Sequence, residues 1–311
     1  MFSILTEPSY PKAAIGLERE SVTALALQKE GRGQYGVRQA ATIEMPVGLL
    51  NPSFTEKNIA SPEQFRVILE EAVSTAGLSR QKNWSISLPS GATRSAILHL
   101  EPGATEAGDL SEVLDWKAEQ SFGTPAGDLR ISRFKISDDQ AGRSRYFASA
   151  VKLSVIDEFE TVFESLGWKS GLVLPRAVSE AGWLARENSS MDSLLISSQS
   201  DGFTAFLLRG PEVAVVRSVT CTERERDDEI YRLLMFYRDR FAGPESAGLL
   251  DRLLAIGKGL VPNRLKEISA EALGSVVSVL SPEDVGLNIP VGSLRFDEIA
   301  APAALAKLGY R

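Results

Sequence analysis

The 311-residue sequence predicts an α/β protein of two lobes in which a strand-hairpin core occurs twice, the first copy carrying a helix-strand-strand-helix insert. Three observations predict this. The length is roughly double the ~150 residues usual for one domain. A meander of three short apolar runs opens the chain and recurs after residue 190. A shift of 181 residues sets Ile15 on Ile196, Thr23-Ala24-Leu25 on Thr204-Ala205-Phe206, and Leu27 on Leu208, as an internal duplication would.

The first meander reads as strands over 13–18, 21–28 and 35–42, the first two forming a hairpin across Arg19-Glu20. Ser61, Pro62 and Gln64 then supply an N-cap, a first-position proline and a capping-box partner. Phe65, Ile68, Leu69, Ala72, Val73 and Ala76 follow at helical spacing until Gly77. Strands are expected over 84–88 and 96–100, with a turn at Pro89-Ser90-Gly91. A helix over 111–122 ends at Gly123 and Pro125. Strands over 129–136 and 146–151 flank a polar turn with Asp138, Asp139 and Gly142. The helix carrying Val155, Phe159, Val162, Phe163 and Leu166 completes the insert.

A strand over 171–174 and a helix over 177–186 lead to the loop Glu187–Asp192. The second meander covers 194–197, 203–208 and 213–219. A helix with Ile230, Leu233, Leu234, Tyr237 and Phe241 on one stripe precedes a strand over 250–256, which runs into Gly257-Lys258-Gly259. A short helix over 300–309 closes the chain, with Pro302 its candidate first residue.

Composition excludes several classes. Hydrophobic residues make up 43% and charged residues 24%, enough for packed cores and unlike a disordered chain. The net charge of −7, with no offsetting basic run, repels a phosphate backbone, so nucleic acid is not an expected partner. No basic segment followed by an apolar core opens the chain, and no run of 18 apolar residues occurs, so neither export nor direct membrane insertion is expected. One cysteine, Cys221, rules out an internal disulfide and suits a reducing compartment. His99 is the single histidine, which leaves too few ligands for a zinc site and no identifiable Cys/His pair.

Five stretches together resemble one family. They are the Met1–Leu5 start, the strand end Ile86–Pro89, the helix Asp115–Phe122 with its Trp116-x-Ala118-Glu119-Gln120 pattern, the helix Ile230–Tyr237, and the segment Ala300–Gly309. The chain resembles the PilM family of type IV pilus assembly proteins, relatives of FtsA and of the cytoplasmic domain of GspL. The resemblance implies a duplicated actin-like (ribonuclease H-like) ATPase fold. It implies a first subdomain at 1–91, an insert at 92–168 and a second subdomain at 169–311, the last helix being a candidate to return to the first lobe. It further implies a cytoplasmic scaffold, peripheral to the inner membrane among pilus platform proteins. Such a scaffold holds the amino-terminal cytoplasmic tail of a bitopic partner, PilN, in a groove between the first lobe and its insert. A GspL-like component of type II secretion fits nearly as well.

Actin-like folds bind ATP through two hairpin loops whose N–H groups surround the phosphates, while a carboxylate at each strand end positions Mg²⁺ or its waters. Glycine lets the backbone approach. The family pattern resembles Gly-x-Asp-x-Gly followed by serines. Here the first loop reads Gly16-Leu17-Glu18-Arg19-Glu20-Ser21: Glu18 stands for the aspartate, Glu20 replaces a glycine, and Ser21 is all that remains of the serine run. A carboxylate about 4 Å from a phosphate is repelled by roughly 1–4 kcal/mol. In the second loop Ser197 stands where the partner acid is expected and Gln199 where a glycine is. Gly257 and Gly259 are candidates for the turn under the adenosine. ATP hydrolysis is therefore expected to be absent and ATP binding absent or weak. No cofactor is expected, and Glu18 is a metal ligand only if Mg-ATP binds.

For a binding module, Trp116, Phe122, Phe134, Tyr146 and Phe147 are candidates to line a peptide groove, the alternative being that they form the core of the insert. The competing enzyme reading is an ATPase or kinase using Glu18 and Gly257. A filament former is a third.

Overall fold

The computed structural model describes residues 9–101, 110–139, 141–185, 191–241, 250–290, 292 and 294–310. The Met1–Leu5 start, Arg186 and the Glu187–Ser190 part of the loop expected at 187–192 lie outside these residues. In chain order the elements are β1 (Ala13–Leu17), β2 (Ser21–Gly31), β3 (Gln34–Glu44), α1 (Pro62–Thr75), β4 (Asn83–Leu88), β5 (Arg94–Leu100), α2 (Leu110–Phe122), β6 (Leu129–Ile136), β7 (Ser144–Lys152), α3 (Leu153–Ser165), β8 (Lys169–Pro175), α4 (Arg176–Ala181), β9 (Asp192–Gln199), β10 (Gly202–Arg209), β11 (Glu212–Thr220), α5 (Arg226–Phe241), β12 (Leu250–Ile256), α6 (Pro262–Leu273), β13 (Ser278–Val279), β14 (Leu287–Asn288) and α7 (Phe296–Leu308).

Packing divides the chain into two compact units, 1–92 with 154–179 and 286–311, and 93–153 with 180–285. These cut the chain elsewhere than the stretches 1–91, 92–168 and 169–311, for reasons of pairing and burial. β8 joins the first unit because it runs parallel to β4 in register, Ile86 opposite Val173. α3 joins it through Phe159, whose ring meets Phe65 of α1 edge-on at 6.2 Å. The strands β5 to β7 instead belong with the second meander.

The first unit holds a six-stranded sheet in the order β14-β3-β2-β1-β4-β8. α1 forms where the sequence places it: Ser61 accepts a hydrogen bond from the Gln64 N–H at 3.4 Å, and Phe65, Leu69, Ala72 and Val73 are buried. α7 lies against β1, β2 and β4. It starts at Phe296 rather than Pro302, so the proline is interior and buried. Interior proline removes a helix hydrogen bond. Here its ring fills the space over Gly16, where a Cβ would come within 2.9 Å of the Pro302 Cγ and Cδ.

The second unit holds a five-stranded sheet, β11-β10-β9-β12-β13, and a three-stranded sheet, β5-β7-β6. α5 and α6 cover one face of the larger sheet, burying Ile230, Leu234, Leu265 and Ile268 against Leu194, Ile196 and Phe203. The sequence reading omitted α6, although Pro262 at its first turn and Gly274 past its end mark it. α4 stops at Ala181, five residues short of the expected end, and a turn follows to Leu184.

The duplication extends to hydrogen-bond register. Ile15 pairs with Ala24 and Gly16 with Thr23; 181 residues on, Ile196 pairs with Ala205 and Ser197 with Thr204. The cross-strand hydroxyl pairs Thr23–Thr42 (2.9 Å) and Thr204–Ser218 (3.5 Å) occupy matching places. This register makes Gln199, not Ser197, the counterpart of Glu18.

Candidate functional site

The first candidate loop is the turn joining β1 to β2. The Glu18 N–H donates to the Ser21 carbonyl at 2.9 Å and the Met45 N–H to the Glu20 carbonyl at 2.7 Å, which pins the turn to the strand beyond β2. The side chains of Arg19 and Glu20 are exposed. Among the described residues no residue other than glycine takes a positive φ, so the tip lacks the backbone geometry that a glycine at position 20 would open. The carboxylate of Glu18 faces inward. Its Oε2 accepts from Arg176 Nη1 at 2.8 Å, and Arg176, at the start of α4, is 5% exposed. A buried guanidinium stays charged and requires a partner; Glu18 provides one. Gly16 is explained by its contact with Pro302, without any appeal to a ligand.

The second loop, in the other unit, joins β9 to β10. Ser197 is 1% exposed and its Oγ has no hydrogen-bond partner among the described residues. Gln199 is half-buried, and Ser200 and Asp201 form the exposed tip. Because Gln199 occupies the register position of Glu18, the carboxylate of the first half is a neutral amide in the second.

Gly257 and Gly259 flank Lys258 at the end of β12. Gly257 has φ 119°, and a Cβ there would lie 2.6 Å from the Ser198 carbonyl oxygen, so only glycine fits. The Lys258 carbonyl accepts from Ser198 Oγ at 3.1 Å and from Arg226 Nη1 at 3.0 Å. Arg226 opens α5, is 3% exposed, and lies against Gly259. Arg176 thus packs against the first loop, and Arg226 against the Gly257–Gly259 turn.

The insert separates the five aromatic candidates. Phe122 is buried beneath α2 with Leu114 and Ala118. Phe147 is 3% exposed, its ring 5.2 Å from Phe134 and 5.9 Å from Phe206 of β10. Tyr146, the next residue along β7, points to the opposite face of the sheet and is half-buried. Trp116 and Phe134 are each 54% exposed. Trp116 lies on α2 away from its buried stripe, and Phe134 on β6, directly opposite Phe147. Asp115 receives Arg133 Nη1 at 2.5 Å, which ties α2 to β6. The five residues therefore do not form one surface.

His99 lies in β5 with Nδ1 3.9 Å from Asp139, and burial, followed by the Arg143 charge, lowers its pKa. Burial raises that of Cys221, which keeps the thiol protonated and a poor nucleophile. No group of three or more His, Cys, Asp or Glu among the described residues is arranged to hold a metal ion.

Sequence reasoning missed Arg176, Arg226 and Glu158. Glu158 on α3 accepts from the N–H groups of Asn58 and Ile59 at 2.9 to 3.1 Å, anchoring the loop before α1. For Arg176 the available signal was an arginine directly after a strand, and for Arg226 the second of two arginines at the start of a helix. Neither pattern alone separates a buried cation from a surface one.

No protein-family model matches the chain. No curated protein matches it either. Among solved structures, a chain of a PilM-PilN type IV pilus biogenesis complex matches 98% of this chain over 100% of its own length, with a TM-score of 0.75 and 15% identity. The cytoplasmic domain of EpsL, an inner membrane component of the Vibrio cholerae type II secretion system, matches with a TM-score of 0.49 and 11% identity, covering 96% of this chain and 94% of that one. A Bacteroides thetaiotaomicron protein with an actin-like ATPase fold gives 0.48 and 11%, covering 96% and 98%. The first likeness establishes the fold, and it is the actin-like fold that the sequence resemblance implied.

Proposed function

We propose that this chain is a scaffold in the inner-membrane platform of a type IV pilus or related secretion system, holding the amino-terminal cytoplasmic tail of a PilN-like bitopic membrane protein. The observation that carries this reading is the end-to-end match to a PilM-PilN complex, insert included, at a TM-score of 0.75. The chemistry supports binding over turnover. Glu18 is engaged by Arg176, Gln199 carries no charge to hold a cation, and the position above Gly16 is filled by Pro302. A Mg²⁺-nucleotide does not fit these residues as they are packed. The exposed rings of Trp116 and Phe134 on the insert are of the type that anchors a peptide. The reading places the protein in the cytoplasm, peripheral to the inner membrane through its partner; no helix among the described residues is long and apolar enough to cross a membrane.

Co-expression with a PilN-like bitopic membrane protein provides the test. The full-length partner should co-purify with this chain in mild detergent, and a partner lacking its cytoplasmic tail should not. Equal recovery of both, or recovery of neither, refutes the reading.

A further inference from the structure

Arg176 directly follows β8, whose last residue, Pro175, pairs with Leu88 of β4. It is 5% exposed. Its Nη1 donates to Glu18 Oε2 at 2.8 Å and its Nη2 to the Asp297 carbonyl at 3.4 Å. One side chain thereby joins the loop after β1, the end of β8 and the first turn of α7, all in the first unit. In an active actin-like ATPase the carboxylate at this loop faces hydrated Mg²⁺. Here a fixed guanidinium faces it instead.

We propose that Arg176 is a built-in replacement for that cation, neutralising Glu18 and holding the first hairpin in place without nucleotide. The proposal rests on the reading of the nucleotide site as degenerate and gives that reading a physical cause. The two halves differ as it requires. Where the acid is kept, at Glu18, an internal cation accompanies it; at the matching register position the acid is gone, and Gln199 needs none. A surface ion pair would account for neither the burial of Arg176 nor its second bond to Asp297. A divalent ion brought to Glu18 would meet the guanidinium already seated there and be repelled.

Thermal melts of the full chain test this, using Arg176→Met, Glu18→Gln and the double variant, with and without about 10 mM Mg²⁺ against NaCl of equal ionic strength. Arg176→Met takes away the guanidinium that faces the Glu18 carboxylate and bonds to Asp297, so Tm should fall by several degrees. Mg²⁺ should restore a few degrees in Arg176→Met but not in wild type or the double variant. Arg176→Lys, which keeps the charge and loses the fork, should fold with a smaller loss and no Mg²⁺ response, and it serves if Arg176→Met does not fold. A melt of Arg176→Met within about 1 °C of wild type, an equal Mg²⁺ response in both, or a Mg²⁺-responsive Arg176→Lys overturns the proposal. A rise of several degrees for wild type with Mg-ATP overturns the degenerate-site reading as well. Silence of wild type together with silence of Arg176→Met overturns the proposal alone.

Discussion

Gly16→Ala separates a glycine kept for phosphate from a glycine kept for packing. The added Cβ would lie 2.9 Å from both Cγ and Cδ of Pro302 and 3.4 Å from its Cβ. Carbon atoms prefer about 3.5–4.0 Å, so two contacts are too short by roughly 0.6 Å or more. β1 cannot retreat, because it pairs with β2 on one side and β4 on the other. α7 cannot yield cheaply either, since every residue from Ile299 to Ala306 is buried. Overpacking of this kind costs about 1–3 kcal/mol. A loss of about 2 kcal/mol corresponds to a Tm fall of roughly 4–8 °C in a chain of this size class. Pro302→Ala removes the two clashing carbons, so the double variant should recover most of the loss, a coupling of about 1–2 kcal/mol. Urea denaturation of the four proteins measures the cycle. A neutral Gly16→Ala, or an equal loss in the Pro302→Ala background, refutes the packing explanation.

Tyr237 donates to the buried Asp192 carboxylate at 3.0 Å, so Tyr237→Phe should cost about 1.5–3 kcal/mol in the same assay. Burial and the Asp192 charge push the phenol well above its ordinary 10.0. The stability it contributes is therefore complete below about pH 10 and is lost as pH rises further, because the unfolded chain ionises first; an ultraviolet titration should show one tyrosine ionising only on unfolding. Phe147→Ala should cost about 3–5 kcal/mol, whereas Trp116→Ala and Phe134→Ala, at 54% exposure, should each stay within about 1 kcal/mol and weaken capture of the partner tail. Glu158→Ala removes the acceptor for the Asn58 and Ile59 N–H groups, so faster amide exchange over residues 49–60 and a loss of about 1–3 kcal/mol are expected.

Much of the fold is legible in the sequence because short-range rules act where the sequence is clean. The first helix carries its own cap in Ser61 and Pro62. The meanders alternate apolar runs with turn residues, and the 181-residue shift predicts matching strands that the pairings carry down to individual partners. α7 was legible as a helix but not in its start, because Pro302 signals a first turn while tertiary packing on Gly16 holds it in the interior. α6 carries its own signals in Pro262 and Gly274, but it follows closely on the Gly257-Lys258-Gly259 turn, whose glycines favour a loop. The candidate site was less legible. Loop composition shows which phosphate-binding residues are missing, but not what packs there: Arg176 lies 158 residues from Glu18 in sequence, and no local pattern links them. The aromatic set failed as a single surface for a similar reason. Neighbours in sequence such as Tyr146 and Phe147 face opposite sides of a strand, and exposure depends on which side another sheet covers.

The most direct measurement is calorimetric titration of the full chain with the amino-terminal tail peptide of the bitopic partner, with and without Mg-ATP. A dissociation constant that is micromolar or tighter, and unchanged by Mg-ATP, is the expected result for a tail-binding scaffold. No binding, or binding that appears only with Mg-ATP, contradicts it.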